Sequence, residues 1–576
     1  MSASPVNEAL RYEAGESCPP LVSITVGAQG AIFAIAPLVV VVAITAQASG
    51  QGESYLSWAV FAALIIAGVL TALQATRLPR IGAGHVLIMG TTPNFVAISV
   101  LALTEGGPPL LGSLIVVSSL FYLALAFWLP LLRRIITPVV SGTVLMLLAA
   151  TILPIALDTV QEIPEEAPEA AGPILALVAL AITVGLTLRA SGILRLFSPI
   201  IGIGVGCVLA ALLGAYDLQR VLDARWIGIS EFSFPGFELT PGAGFWALLP
   251  VFIVVTLVGG IKNIGDSVAI QQASRRRPRV TDFRLVQSSL NTNGLGILLS
   301  GIAGTPPTTV FSSTSVSLAN MTGVAARRVG YVIGAVWVVL AFFPKLPALL
   351  LTIPSPVMGA YLLLAIGLIF MEGIRTVARS GLDARKVIVI GVAFALGAGF
   401  DSQTTFADLL GGTWGGLLDN GLLIGALAAI LMTLFLDLTN PLKGGRLQVP
   451  LDVASLPEVD AFVRRLAARL RWNDASTERL RSVAEETLLT LAQAGDSPQL
   501  ILVTRPDAGV VEMEFMAVFD EENIEDRLAY LSEEVEGLEE EEISLRLLRH
   551  HASSVQHRKY YGLDIITVQV RGSRAP

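Results

Sequence analysis

The sequence predicts an all-α polytopic membrane protein with a small soluble α+β domain at its C-terminal end. Three observations carry this. The 576 residues are 53% hydrophobic and only 15% charged, with a mean hydropathy of +0.70, a balance that soluble enzymes of ordinary make-up do not have. Apolar stretches long enough to cross a hydrocarbon layer of about 30 Å, or half of one, recur through residues 23–437. At Asn440-Pro-Leu-Lys-Gly-Gly-Arg446 the composition breaks. From Leu451 onward 14 Lys/Arg stand against 24 Asp/Glu, a net −10, while residues 1–450 hold the other 24 and 22.

Residues 1–22 read as a cytoplasmic segment, polar and acidic at the start and without the basic n-region of a cleaved signal peptide. The predicted spans then follow near 23–46, 55–76, 81–101, 108–131, 136–157, 172–189 and 194–216. The second seven lie near 244–272, 284–303, 306–320, 328–352, 354–374, 385–401 and 418–437. Loop charge orients them. Basic residues follow the second span (Arg77, Arg80), the fourth (Arg133, Arg134), the sixth (Arg189, Arg195) and the eighth (Arg275, Arg276, Arg277, Arg279). They recur after the tenth (Arg327, Arg328), the twelfth (Arg375, Arg379, Arg385, Lys386) and the fourteenth (Lys443, Arg446). The opposite loops are nearly free of them, and Asp158 to Glu169 is acidic. This alternation predicts an even span count, both termini in the cytoplasm and residence in the cell (inner) membrane. Cys18 and Cys207 are too far apart in sequence to suggest a disulfide framework or a metal site, and no basic patch suggests nucleic acid.

Lys262 and Asp266 interrupt the eighth span, four residues apart and therefore on one helix face. Each costs about 2.5–3.5 kcal/mol at the centre of a span, tolerated where such groups pair or line a solute path. The third and tenth spans, in corresponding places, are broken. One contains Gly82-Ala-Gly-His85 and Gly90-Thr-Thr-Pro-Asn-Phe95; the other contains Gly304-Thr-Pro-Pro-Thr-Thr309 and Ser312-Ser-Thr-Ser-Val-Ser317. Small residues of this kind also serve helix packing. A matched pair of breaks, one per half, points instead to a midplane site in a transporter, with half-helix N-termini aimed at the cargo.

These residues resemble the nucleobase–ascorbate transporter family (nucleobase–cation symporter family 2). That family's eighth span carries Glu-Ser-Ile-Gly-Asp, and Lys262-Asn-Ile-Gly-Asp266 stands in its place. Its tenth-span signature, anchored on Thr322-Gly-Val-Ala-Ala-Arg327, falls on Thr314-Ser-Val-Ser317, and its first-span Gln-His pair on Gln29-Gly30. Its third-span Gly-Ser-Ser-x-x-Phe corresponds to Gly90-Thr-Thr-Pro-Asn-Phe95, and Asn293-Gly294 and Gly304-Thr-Pro306 also fit. The resemblance covers roughly residues 20–440. It implies fourteen segments as two inverted seven-span repeats within 23–440, with short extended stretches in spans 3 and 10. It further implies a core domain (about 23–131 and 244–352) moving against a gate domain (about 136–216 and 354–437), in a homodimer. The activity implied is uptake of a purine or pyrimidine coupled to H⁺ or Na⁺, with no other cofactor and no enzymatic step.

Two ligand residues depart from the family. Lys262 replaces the carboxylate and Thr314 the amide or acid, with Ser315 in place of the following Asn. An ammonium donates where a carboxylate accepts, so the site favours an anion or a carbonyl-rich face, such as urate or xanthine near its pKa. An intrahelical ion pair between Lys262 and Asp266 is the competing reading, and both can hold. The candidate solute contacts are Lys262 with Asp266 as counter-charge or coupling group, Thr314 and Ser315 with Ser313 beside them, Gln29, and Phe95 as a wall; Asn263 adjoins them. Asn263, Asn291 and Asn293 also suit helix cross-linking, His85 is the lone histidine of the membrane part, and Asp401 and Asp408 read as solvated loop residues.

Residues 447–576 have helical spacing at Leu456 to Leu470 and Ser476 to Ala492, and strand-like runs at Gln499 to Thr504, Val510 to Phe519 and Leu563 to Val570, with an acidic helix candidate from Glu521 to Glu542. This α+β pattern resembles the histidine-kinase-like ATPase fold of anti-sigma factors. Thr490 stands where that fold's Mg²⁺-holding Asn would be, and Phe519-Asp-Glu-Glu-Asn523 lacks its glycines, so a degenerate domain that binds no ATP and serves assembly or regulation through an unknown partner is expected. His550, His551 and His557 read as residues of a solvated helix. The whole reads as a secondary transporter with an elevator-like exchange of a midplane site for a nucleobase-like or related small organic solute, anions included. Alternatives are an inorganic or carboxylate anion carrier of the sulfate-permease type and a transporter-derived sensor signalling through the tail.

Overall fold

The structure is a computed structural model. It describes residues 10–573 apart from 93–94, 128–137, 162–167, 169, 192–193, 195–197, 214–215, 217–218, 224, 229–235, 239–241, 278, 380–383, 401–420, 440–443, 495–498, 508, 518–523, 525–527, 529–539 and 562. Asp401 and Asp408 thus lie outside the described residues, as does most of the acidic helix candidate 521–542. The chain divides into two compact units, residues 1–276 with 288–435, and residues 277–287 with 436–576.

In the first unit, long Ala/Val/Leu/Ile runs make helices. α1 (Pro20–Ala48) opens with proline in its first turn, where no N–H partner is lost, and α2 is Glu53–Ala75. The chain then loses helical form and passes through β1 (Met89–Thr91) before α3 (Val96–Phe127). α3 kinks at Gly107, φ 68°, just before Pro108-Pro109, the boundary expected between the third and fourth spans. α4 (Pro138–Gln161), α5 (Ala171–Arg189), α6 (Ser198–Leu212), α7 (Gln219–Asp223), α8 (Ala243–Ala273) and α9 (Phe283–Ala303) follow. After β2 (Thr308–Val310) come α10 (Ser312–Thr322), α11 (Arg327–Ala341), α12 (Lys345–Leu351), α13 (Ser355–Arg379), α14 (Ala384–Phe400) and α15 (Gly421–Thr439).

Among the described residues, seven helices are long and apolar enough to cross a membrane: α1–α5, α8 and α13. Several other expected spans are shorter or more polar for local reasons. The third gives residues 81–92 to irregular backbone and β1, and the tenth divides into β2 and the eleven-residue α10. The eleventh breaks ahead of Pro344 into α11 and α12, while α9 carries Gln287, Ser288, Ser289, Asn291, Thr292 and Asn293.

Packing sorts these elements into two sets. α1, α2, α3, α8, α10 and α11 pack among themselves with β1 and β2, whereas α4, α5, α6, α13 and α14 form the other; α3 and α8 also touch α4. α2 and α11 cross closely at Gly68 and Gly334. A Cβ at either would lie 2.8 Å and 2.4 Å, respectively, from the other's carbonyl oxygen, an approach that small residues allow between membrane helices. Trp337 of α11, fully buried, donates its indole N–H to the Ala31 carbonyl of α1 at 3.1 Å.

The second unit is a five-stranded antiparallel sheet, ordered β3-β4-β5-β7-β6. Its strands are β3 (Arg446–Val449), β4 (Leu500–Asp507), β5 (Val510–Ala517), β6 (Ser554–Tyr560) and β7 (Leu563–Arg571). Its helices are α16 (Leu456–Leu470), α17 (Asp474–Ala494) and α18 (Glu540–His551). The apolar stripes of α16 and α17 (Val459, Val463, Leu480, Val483, Leu488) share one core with Leu502, Met513, Phe515, Ile566 and Val568 of the sheet. The two-residue period of a strand selects the inward set. Thr490 donates its hydroxyl to the Glu486 carbonyl one turn back, at 2.8 Å. The solvated-helix reading of the histidines is corrected at His557. This residue lies on β6, is fully buried, accepts the Ile524 N–H at Nδ1 (3.1 Å) and places Nε2 3.7 Å from the Asp564 carboxylate.

Candidate substrate site

Irregular backbone at membrane depth must find partners inside the protein, and here the partners are specific. Gly82 (φ 81°) makes the turn after α2; a Cβ there would lie 2.4 Å from the Thr76 carbonyl oxygen, so only glycine fits. Its N–H donates to Thr292 Oγ1 of α9 at 2.8 Å. Gln74, fully buried in α2, accepts the Ala83 N–H (3.2 Å) and donates to the Ser289 carbonyl (3.1 Å). The Met89 N–H reaches Thr71 Oγ1 at 2.9 Å, and the Thr308 N–H reaches Ser300 Oγ at 3.0 Å.

The two breaks meet. β1 pairs antiparallel with β2, Met89 opposite Val310, Gly90 opposite Thr309 and Thr91 opposite Thr308. Gly90 has no side chain because the Phe311 ring occupies the space, 2.4 Å from where a Cβ would stand. The Phe311 N–H donates to the Ile88 carbonyl at 2.7 Å. Ser315 Oγ accepts the Ile88 N–H (3.0 Å) and donates to the Phe311 carbonyl (2.8 Å), so this residue ties one break to the other. Thr314 is half-buried beside it, and the Ser313 side chain lies outside the described residues. The N-cap residue of α10, Phe311, makes no side-chain cap bond, and the first turn of a helix carries the positive end of its dipole.

α8, which bears the charged pair, packs against β2 and α10 as well as α3. Lys262 and Asp266 are half-buried on one face, with Gly265 exposed between them and nothing within 4 Å of its Cβ position. One turn earlier on α8, the Cβ position of Gly259 lies 3.8 Å from Phe95 Cζ, so the buried Phe95 ring walls the same helix face. Gln29, half-buried on α1, adjoins Gly30, whose Cβ position is 2.7 Å from Leu318 of α10.

Asn263 turns the other way. Buried at 3% exposure, it donates from Nδ2 to the Tyr122 hydroxyl at 3.0 Å, and Asn293 of α9 donates to the same oxygen at 2.7 Å. The cross-link reading of Asn263 and Asn293 therefore describes them, and Asn291 likewise donates to the Arg80 carbonyl at 2.8 Å. Asp266 lies within electrostatic reach of the Tyr122 hydroxyl. Tyr122 escaped sequence reasoning; its one signal is a lone phenol in an apolar run. His85 is buried ahead of β1, its carbonyl accepting the Leu87 N–H at 2.9 Å. Among the described residues no group of three or more His, Cys, Asp or Glu side chains comes together as a metal site.

Residues 22–405 match the xanthine/uracil permease model, described as a permease family. The chain belongs to that family. It is a multi-pass secondary transporter of the nucleobase permease class, not an enzyme. The permease is 28% identical over 447 residues to the xanthine permease XanQ of Escherichia coli (strain K12), covering 73% of this chain and 92% of that one. It is 26% identical over 422 residues to the uric acid permease PucK of Bacillus subtilis (strain 168), covering 72% and 95%. Among solved structures it is similar to murine Slc26a9, an anion transporter in the inward-facing state, at a TM-score of 0.49 and 13% identity, covering 77% and 72%.

Proposed function

We propose that this permease carries a flat, carbonyl-rich or anionic nucleobase such as xanthine or urate, held between the Lys262 face of α8 and the first turn of α10. What supports this reading is that α8, which bears Lys262, packs against β2 and α10, with Phe95 lying against Gly259 one turn before Lys262. An ammonium and a helix N-terminus both attract negative charge. Asp266 balances Lys262 in the empty site and couples solute binding to H⁺ or Na⁺ entry. Thr314 and Gln29 supply polar contacts. The relatives' printed substrates, xanthine and uric acid, agree with this chemistry.

The elevator exchange belongs to the same proposal, with core about 23–131 and 244–352 and gate about 136–216 and 354–437; the two packing sets support it. So do fourteen segments in inverted repeats, a homodimer and cytoplasmic termini, the last resting on loop charge. The C-terminal unit is taken as a degenerate histidine-kinase-like domain serving regulation or assembly. The Thr490 hydroxyl, spent on its own helix, supports a domain that holds no Mg²⁺-nucleotide.

A thermal-shift screen of the full chain against xanthine, urate, uracil, ascorbate and sulfate tests the site, repeated with Lys262→Ala. A ligand at about 100 times Kd stabilises by roughly 2.7 kcal/mol. Stabilisation by xanthine or urate that Lys262→Ala removes is the expected result. Unchanged shifts in the variant would leave Lys262 as a partner of Asp266 alone.

A further inference from the structure

The N-terminal segment, expected as a polar lead-in, is a strap of defined backbone. The N–H groups of Arg11 and Tyr12 both donate to the Gly323 carbonyl, at 2.7 and 3.1 Å, and the Ala325 N–H donates to the Tyr12 carbonyl at 2.9 Å. Tyr12 and Val324 thereby form a parallel bridge. Gly323, in the left-handed region at φ 67°, ends α10 and turns its carbonyl toward the strap. Leu10 buries against Ala319 and Ala325. The guanidinium of Arg327 donates to the Ala14 carbonyl at 3.1 Å, and that of Arg328 to the Cys18 carbonyl at 3.2 Å.

The strap's other edge is held from α8. Arg276, three residues beyond the end of that helix, donates from Nε to the Leu10 carbonyl at 2.9 Å and from Nη2 to the Arg11 carbonyl at 2.5 Å. Its two terminal nitrogens each reach one oxygen of Glu16 at 2.7 Å, and its backbone N–H donates to Glu13 Oε1 at 2.7 Å. A planar fork that grips a carboxylate and two carbonyls at once is beyond a lysine ammonium. Positive-inside topology asks only for charge. The hydrogen bonding of Arg276 exceeds that requirement.

We propose that residues 10–18 are a clasp that fixes the separation of α8 and α10 at their cytoplasmic ends, with Arg276 and Glu16 as positioning residues for solute binding. The two helices carry Lys262 and Thr314, both from the second seven-span half of the chain. Asp266 is about 10 Å along the axis from the last residue of α8, so neither clasp residue touches the solute. The inference rests on the reading of these helices as the walls of the site. Where the clasp opens, the helices sample a range of spacings, and the solute meets both walls in only a fraction of them.

The decisive variants are Arg276→Lys, which keeps the loop charge, and Glu16→Gln. Spin labels are placed at the exposed positions Gln272 and Asn320 of the full chain, on a Cys207→Ser background, Cys18 being buried. A single narrow distance is expected in the parent protein and a broadened one in both variants, with xanthine and urate affinity reduced about tenfold. Equal widths in parent and variants overturn the clasp, whatever the affinities. A broadened distance together with Lys262→Ala protein that still gains full stabilisation from xanthine or urate upholds the clasp and overturns the solute site instead.

Discussion

Tyr122→Phe removes one oxygen atom and strands two amides. The phenol is fully buried, and its hydroxyl receives Asn263 of α8 at 3.0 Å and Asn293 of α9 at 2.7 Å, joining both helices to α3. Two magnitudes bear on the cost. A buried polar group left without a partner costs about 1–3 kcal/mol in water-soluble proteins. Interhelical hydrogen bonds in membranes average about 0.6 kcal/mol with a maximum near 1.7, because the unfolded helices find partners within the bilayer. The second scale governs here, since the helices persist when the bundle opens, and two bonds give about 1–3 kcal/mol in all. The shape of the ring is unchanged, so no cavity term adds to it. Denaturant unfolding of the purified full chain, run as a double-mutant cycle with Asn293→Ala, measures this directly. A Tyr122→Phe protein that unfolds at the parent midpoint, or a coupling energy of zero, would refute the tie.

Gly90→Ala should lower stability by about 1–3 kcal/mol, the usual range for an overpacked site, because its Cβ would stand 2.4 Å from the Phe311 ring edge in the β1–β2 crossing; parent-like unfolding would show that the ring yields freely. The Arg276 hydrogen bonds hold the Glu16 carboxyl below the usual carboxylate range. Its contribution to the clasp is therefore present above the unfolded value of about 4.3 and lost as pH falls through the lower folded value. Hydrogen-exchange protection of the Tyr12 and Ala325 amides, corrected for intrinsic rate, should hold from neutrality into that acid range; loss centred near pH 7 would contradict the pairing. Uptake by Lys262→Arg, which keeps the charge on a longer and planar group, should retain anionic purines while losing affinity, read as a raised KM. An unchanged KM there would place the cation away from the solute.

Features encoded within one or two helical turns were legible from the chain alone. Lys262 and Asp266 share a face because 3.6 residues make a turn whatever surrounds them. Gly82, Gly84, Gly90 and the Pro306-Pro307 pair announced where helix would fail, and β1 and β2 lie in those stretches. The alternation of apolar and polar residues separated helices from strands in the C-terminal unit, although β3, β6 and the burial of His557 went unread because short strands with charged neighbours carry little periodic signal.

What the chain could not state locally was which group answers which. Ser315 closes on Ile88 across 227 residues, Asn263 and Asn293 converge on Tyr122 across 141 and 171, and Arg276 grips Glu16 across 260. A side chain's periodicity records the face it occupies, but its partner depends on which distant helix packs there. Those pairings were decided by the tertiary fold, because burying each polar group on α8 and in the breaks requires a complement that no neighbour in sequence supplies.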